Sequence, residues 1–186
     1  MRDTRAELLA EAETLVRGRG YSGFSYADLS AAVGIRKASI HHHFRTKEDL
    51  GFALMQAYEA RYETALDAIL AENPDAVARI DAYGRLYLGG VEQGLGCLCA
   101  ALATEGEALP ARLREAVVTF FDRHIAWLER VLRQGQAEGS VRAGLDTAAQ
   151  ARFVISTLEG ALLMERLLGG PPAFSATLRA LCASLR

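Results

Sequence analysis

The chain has 186 residues, is 51% hydrophobic and carries a formal net charge of −2. This length allows one sizeable core or two small helical domains, and the apolar content excludes a disordered chain. The charge is uneven, because residues 1–50 hold eight Lys/Arg against seven Asp/Glu and residues 51–186 hold thirteen against sixteen. A weakly basic head therefore precedes an acidic body, which suits a protein whose second part must not bind nucleic acid.

No segment resembles an export signal or a membrane span. The N-terminus enters an amphipathic helix without the apolar core of a secretion signal. The longest apolar stretch, 153–164, is interrupted by polar residues and is too short to cross a bilayer. The three cysteines follow no disulfide or metal spacing. These features predict a cytoplasmic protein without membrane contact.

Helical periodicity runs through the chain, and strand signals are absent, which predicts an all-α fold of about nine helices. The first helix begins at Thr4, with Glu7 as its capping partner, and ends at Gly18-Arg19-Gly20. Later helices are expected, in chain order, at 47–71 after a Thr46 cap, 75–93, 97–104, 110–137, 146–168 after an Asp146 cap, and from 169–172 to the end.

The segment Phe24 to Leu50 has the form of a helix-turn-helix. Ser25 with Asp28 makes a capping box, and Gly34 supplies the left-handed residue at which the first helix of the pair ends. A short second helix starts near Lys37, with Ala38, Ile40 and Phe44 expected to face inward. In this motif the second helix enters the major groove of DNA.

The charge of this segment agrees with DNA binding. Between Asp28 and Glu48 there is no acidic residue, whereas four basic residues fall there, namely Arg36, Lys37, Arg45 and Lys47. A surface facing the phosphates of a duplex has to be basic and free of carboxylates. The alternative is an ordinary solvated helix pair. In that case the capping box, the turn glycine and the excess of basic residues would coincide by chance.

Residues 5–50 resemble the DNA-binding domain of the TetR family of transcriptional repressors. The matching residues are Gly20, Tyr21, Phe24, Ser25, Ile35, Ile40, His43, Phe44 and Lys47-Glu48-Asp49-Leu50. One position departs from the family pattern, since His41 stands where members usually carry a phosphate-binding tyrosine. The resemblance implies nine helices, a homodimer closed by a four-helix bundle, and a palindromic double-stranded DNA operator contacted by recognition helices roughly 34–36 Å apart.

The predicted domains are a helix-turn-helix DNA-binding domain at 1–46 and a ligand-binding and dimerisation domain at 47–186. The fourth helix is expected to join them directly. Candidate DNA contacts are the outward residues of the second helix of the pair and the polar residues at the two neighbouring helix starts. They are Ser25, Tyr26, Arg36, Lys37, Ser39, His41, His42, Thr46 and Lys47. His43 is assigned to packing, as is Phe44.

The sequence contains no pattern for catalysis, metal or cofactor binding. Consecutive residues of a helix point about 100° apart, so His41, His42 and His43 cannot converge on one ion. No nucleophile elbow or glycine-rich phosphate loop occurs. We therefore expect no enzyme activity, no metal and no cofactor.

Aromatic and polar residues in the second domain are candidates for a cavity that binds a small-molecule effector. An aromatic stripe at helical spacing also fits plain core packing, and that alternative stays open for each residue. The candidates are Tyr58, Tyr62, Tyr83, Tyr87, Phe120, His124, Trp127, Phe153 and Thr157.

Cys97 is a candidate redox or electrophile sensor. Together with Cys99 it opens a helix after Gly96, where free amides lower a thiol pKa. The alternative is that both cysteines are small buried apolar side chains.

The last two long helices are candidates for a dimer interface. Ser156 and Gly160 place small residues one turn apart, and leucines nearby supply more apolar area than a monomer hides. The interface candidates are Ser156, Gly160, Leu163, Leu167, Leu178 and Leu181.

Together these features predict a ligand- or stress-responsive transcriptional regulator, a repressor by resemblance, which an effector releases from DNA. Two alternatives remain open. One is a helical small-molecule-binding protein with a vestigial DNA-binding head, which the departure at His41 suggests. The other is a repressor that senses oxidants or electrophiles through Cys97.

Overall fold

The computed structural model describes residues 3–186, and within that range every regular element is helical. Nine α-helices and one 3-10 turn, Gly106–Ala108, account for these elements, which confirms the all-α prediction. The helices are α1 (Thr4–Arg19), α2 (Tyr26–Val33), α3 (Lys37–His43), α4 (Lys47–Glu72), α5 (Ala76–Glu92), α6 (Leu98–Ala103), α7 (Ala111–Glu138), α8 (Thr147–Glu165) and α9 (Gly170–Ser184).

Local capping signals set most helix starts. Ser25 and Asp28 form the predicted capping box of α2. Asp146 accepts hydrogen bonds from two backbone amides of α8, as predicted. The first helix differs in one detail, since Asp3 rather than Thr4 is the cap, its carboxylate accepting from the Ala6 amide. The earlier carboxylate takes this role because it reaches an amide that has no partner within the helix.

The chain divides into two compact units. The first comprises residues up to Arg61 together with Leu98–Thr119, and the second comprises Tyr62–Cys97 with Phe120–Arg186. The helix-turn-helix segment thus packs with the first part of α4, with α6 and with the start of α7. The boundary between residues 46 and 47 stays a prediction.

In the first unit, the expected apolar stripe of α1 is buried; it comprises Leu8, Leu9, Ala12, Leu15 and Val16. A carboxylate ties the turn after α1 to the segment after α6. Glu105 accepts hydrogen bonds from the Ser22 backbone amide at 2.9 Å and from the Ser22 hydroxyl at 2.5 Å. Within the same unit, Glu13 is nearly buried and pairs with Arg17 at 3.1 Å and Arg61 at 2.6 Å.

In the second unit, α5, α8 and α9 pack against one another. The contact of α5 with α9 is closest at Gly84, where an added Cβ would lie 2.3 Å from a methyl carbon of Leu178. Leu178 and Leu181 are each 4% exposed, so both belong to the core of the protomer. Their assignment to a dimer interface is therefore wrong, because α5 already covers this face of α9.

The close approach at Gly84 predicts that Gly84→Ala destabilises the protein by about 1–3 kcal/mol, because the methyl group overpacks against Leu178. In the same helix, Gly89 has open space around an added Cβ. Gly89→Ala should therefore stabilise the protein by about 0.5–1 kcal/mol through helix propensity alone. Urea unfolding followed by circular dichroism measures both, and equal effects of the two substitutions would contradict the packing described.

Candidate functional site

The short helix α3 turns a polar surface to solvent. Arg36, its cap residue, and Lys37, its first residue, are exposed, as is Ser39. Ile40 is fully buried and Phe44 is 3% exposed, so these two side chains anchor the helix as predicted.

Two residues assigned to packing in this segment lie elsewhere. Ala38 and His43 are both exposed, so the expectation that they pack inward is wrong. The reason is geometric, because a helix of seven residues buries only a narrow stripe. His43 instead contacts its neighbours along the chain, with ring centroids 5.6 Å from His42 and 6.4 Å from Phe44.

The histidines of α3 differ in their surroundings. His42 is exposed about one turn after Ser39, on the same face of the helix. His41 is also exposed, but its Nδ1 lies 3.1 Å from the carbonyl oxygen of Arg45, and its ring centroid lies 4.9 Å from that of Tyr26. His41 thus helps to satisfy a carbonyl beyond the end of the helix.

Two predicted phosphate contacts have their polar atoms turned inward. The Tyr26 hydroxyl donates to the carbonyl of Thr46 at 2.6 Å and lies 3.0 Å from that of Phe44. The Lys47 ammonium donates to the carbonyl of Phe24 and lies 4.7 Å from the centroid of the Tyr21 ring. Burial lowers the pKa of Lys47 and raises that of Tyr26 to about 12. In this conformation both side chains brace the protein and do not face outward for DNA.

The remaining two candidates cap helices. The Ser25 hydroxyl donates to Asp28 at 2.6 Å, and the Thr46 hydroxyl donates to Asp49 at 2.9 Å. A phosphate bound by either hydroxyl would have to replace a hydrogen bond within a capping box. Among the candidates, the exposed side chains without a hydrogen bond to another described residue are therefore Arg36, Lys37, Ser39 and His42.

The second unit contains a buried aromatic cluster around a histidine. Its members are Tyr62, Tyr83, Tyr87, Phe120, His124 and Trp127, all of them predicted effector contacts. The Tyr83 hydroxyl lies 2.9 Å from Nδ1 of His124 and 3.2 Å from the Tyr87 hydroxyl. The chain of hydrogen bonds thus runs from α5 to α7.

The cluster is apolar enough to keep its members uncharged. Burial lowers the pKa of His124 to about 4, and burial raises the pKa of Tyr83 and Tyr87 well above the ordinary value. The Phe120 ring stacks on His124 with centroids 4.0 Å apart, and Tyr83 stacks on Trp127 at 5.5 Å. A neutral hydrogen-bonding array within aromatic walls fits plain core packing and also fits the lining of a small-molecule site.

Three other predicted effector residues lie outside this cluster. Tyr58 belongs to the first unit, where the Arg61 guanidinium lies 5.2 Å from its ring centroid. Phe153 is 54% exposed, so its assignment to a buried cavity is wrong; it lies on the outer face of α8. Thr157 is half-buried on α8.

Sequence reasoning missed Glu159, whose two carboxylate oxygens are buried without a hydrogen bond. The Tyr87 hydroxyl and the Cys97 thiol lie close enough to influence its pKa. Burial raises the pKa of this carboxyl well above the ordinary value. The available signal was one acidic residue within the apolar stretch of α8.

The outer face of α8 and the turn after it form an exposed apolar ridge, defined by Phe153, Leu163, Met164, Leu167 and Leu168, which are 54–87% exposed. Ser156 is exposed on the same helix, and Gly160 has open space around an added Cβ. Several large apolar side chains exposed on one helix and its following turn are typical of a protein interface.

Within residues 3–186, no helix is long and apolar enough to cross a membrane. The same part of the chain brings together no set of His, Cys, Asp and Glu side chains that could hold a metal ion.

Two family descriptions match this chain. Residues 8–54 match "Bacterial regulatory proteins, tetR family", and residues 76–181 match "Tetracyclin repressor-like, C-terminal domain". A crystal structure of a TetR-family transcriptional regulator from Agrobacterium tumefaciens is similar, with a TM-score of 0.92 and 33% identity over 97% of this chain and 96% of that one.

Two named repressors are also similar. The HTH-type transcriptional repressor DhaR of Mycobacterium sp. strain GP1 is 26% identical, over 88% of this chain and 82% of its own. The HTH-type transcriptional repressor NemR of Escherichia coli K12 is 29% identical, over 89% of this chain and 85% of its own. A crystal structure of E. coli NemR in its reduced form has a TM-score of 0.83 and 28% identity, and the match covers 97% of this chain and 95% of that one.

Burial of His124 predicts a specific loss of stability in acid. Its pKa is about 4 in the folded protein and 6.5 when unperturbed, so the unfolded chain binds the proton first. The free energy of unfolding should fall as pH drops from 6.5 towards 4, by up to about 1.4 kcal/mol per pH unit from this group. When the free energy of unfolding is measured with denaturant across that range, its dependence on pH should be weaker for His124→Gln than for the wild type. The exposed control His42→Gln should keep the original slope, and an equal slope in all three proteins would refute the assignment.

Proposed function

The chain belongs to the TetR family of bacterial regulatory proteins, and on that premise we propose how its residues control transcription. It is a ligand-responsive, DNA-binding regulator. Members of the family generally bind DNA and do not catalyse reactions, and we propose that this chain also has no enzymatic activity. We place it in the cytoplasm, at the bacterial nucleoid.

The observation that carries the proposal is the exposed polar surface at the start of α3. Arg36, Lys37 and Ser39 have free donors there, and the N-terminal residues of a recognition helix are those that contact base edges. His42 extends this surface by one turn, and His41 takes the place of the family's tyrosine. We propose that Tyr26 and Lys47 support the fold around α3, since their polar atoms bond the carbonyls of Thr46 and Phe24.

The protein acts as a homodimer on a palindromic operator. We propose that the apolar ridge of α8 faces the partner protomer, with Ser156 and Gly160 allowing close approach of the helices. The ridge exposes five large apolar side chains, each by 54–87%, and it is the patch as a whole that indicates a covered surface.

The effector binds in the aromatic cluster of the second unit. We propose that the bound form favours a dimer whose recognition helices are wrongly spaced for the operator. The effector must bind that form more tightly, since equal affinity for both forms shifts nothing. The continuous helix α4 carries Tyr62 near its middle and begins next to α3, so it is the element proposed to transmit the change.

Thiol sensing through Cys97 is the second candidate function, favoured by the similarity to NemR, whose structure is described as a reduced form. Cys97 lies just before α6 and is 4% exposed. It borders the Glu159 carboxyl, and a charge on either group opposes a charge on the other. Reactive thiols need accessible, electropositive surroundings, so these features favour non-covalent effector binding.

Removing the exposed ammonium of Lys37 should weaken operator binding. We expect Lys37→Ala to lose about 1–3 kcal/mol of binding free energy per protomer, because a base or phosphate contact is lost. Fluorescence anisotropy with a duplex from the region upstream of its own gene, over a salt series, measures this. The dimer should persist, and Arg130→Ala, an exposed arginine of the second unit, should bind as the wild type does. Unchanged operator affinity in the Lys37 variant would contradict the proposal that α3 contacts the DNA.

A charge on the ridge should separate the protomers without unfolding them. Leu163 is 64% exposed in the protomer, so Leu163→Lys puts its ammonium into the proposed interface and leaves the core intact. Light scattering at micromolar concentration should then report a monomer whose helical circular dichroism is unchanged. Val118→Lys, at a residue 54% exposed on α7, is the matched control and should stay dimeric. A dimeric Leu163 variant would place the interface elsewhere.

A further inference from the structure

Two residues of the second unit bury polar atoms that have no hydrogen-bond partner. They are Glu159, through both carboxylate oxygens, and Trp127, through its indole Nε1. Among residues 3–186, these are the side chains with polar atoms buried in this way. Each such group destabilises the free protein, because it has left water without a replacement partner.

Within residues 3–186, no positively charged side chain influences the pKa of the Glu159 carboxyl. Besides burial, the groups that influence its pKa are the Cys97 thiol and the Tyr87 hydroxyl, and neither supplies a cation. An uncompensated carboxylate is far more costly to bury than a neutral polar group. A ligand that brings a positive charge would therefore gain more at this position than a neutral one.

The groups next to this carboxyl also suit a cation. Tyr87 lies beside Glu159, and its hydroxyl continues the hydrogen-bonded chain through Tyr83 to His124. The stacked rings of Tyr83 and Trp127 add aromatic faces to the same cluster. Aromatic faces attract organic cations, and the attraction grows when water is excluded.

We propose that Glu159 is the charged anchor of the effector site and that the effector is an organic cation with an apolar or aromatic body. The indole N–H of Trp127 then donates to an acceptor on the same molecule. The inference rests on the proposed function, since it takes the aromatic cluster to be the effector site. It adds the chemical class of the effector and a contact that the sequence did not predict.

The test uses Trp127, the single tryptophan of the chain, as its reporter. Fluorescence titrations of the full-length protein compare benzyltrimethylammonium with neopentylbenzene, its uncharged carbon isostere. We expect the cation to bind about tenfold more tightly or better, a difference of at least about 1.4 kcal/mol. Glu159→Gln should abolish that preference. Asp122→Asn removes an exposed carboxylate of α7 and should keep it.

Proton release gives a second and independent readout. A cation that ionises Glu159 displaces its proton, so calorimetry in two buffers of different ionisation enthalpy should show release near pH 7. His124, Tyr83 and Tyr87 are already neutral at that pH, and the remaining titratable neighbour is Cys97. Release that persists in Glu159→Gln would therefore identify another group and overturn the proposal.

The Tm of Glu159→Gln shows whether this variant is folded. Folding raises the pKa of Glu159 above its unfolded value. The stability that the protonated carboxyl contributes is therefore present below the unfolded pKa and is lost as pH rises through the folded pKa. Glutamine cannot ionise, and Glu159→Gln should therefore have a higher Tm than the wild type at pH 8. A lower Tm at that pH would mean that the carboxylate is compensated, which contradicts the argument.

Operator binding measured in the same samples separates the two proposals. Cation binding that depends on Glu159 but leaves operator affinity unchanged supports the site and refutes the release mechanism. Equal binding of the two probes, or no quenching by millimolar cation, overturns the organic-cation site. The protein would then still be a regulator if its operator binding is intact.

Discussion

The position of α3 depends on two side chains, Tyr26 and Lys47, that donate hydrogen bonds to backbone carbonyls around it. A helix of seven residues is too short to be stable alone, so α3 relies on the chain around it. The Tyr26 hydroxyl donates to the carbonyl of Thr46, which follows α3, and the Lys47 ammonium donates to the carbonyl of Phe24, two residues before α2. With Ile40 and Phe44 buried beneath, the opposite side of α3 stays exposed to solvent.

Signals that act within about one helical turn could be predicted from the sequence. The capping box at Ser25 and the left-handed Gly34 are of this kind, because each depends only on neighbours in the chain. The direction of a long polar side chain is different. Tyr26 and Lys47 have the chemistry of phosphate ligands, but carbonyls brought near by packing compete for the same donors, and only the folded structure shows where those carbonyls lie. Leu163 and Leu178 likewise have the same chemistry, and only the packing of α5 on α9 shows which one is covered.

The aromatic cluster of the second unit, our proposed effector site, combines a rigid hydrogen-bonded contact with a neighbouring buried carboxyl that lacks a hydrogen-bond partner. The bond between Tyr83 and His124 fixes two helices to each other, whereas Glu159 is left without compensation. Stability alone would favour an apolar side chain at such a site, and natural proteins depart from that rule mainly where function requires it. A glutamate in an apolar helix was visible in the sequence, but only the tertiary structure shows that no described arginine or lysine influences its pKa.

The unit that carries α3 is assembled from two stretches of chain, the second of which is Leu98–Thr119. Ser22, in the turn before α2, has its partner Glu105 83 residues further along. During synthesis at about 5–20 residues per second, the ribosome therefore adds the missing stretch several seconds after α3 has been made. A nascent chain cannot complete the packing of this unit in that interval, so the unit that carries α3 is finished only after Thr119 has been added.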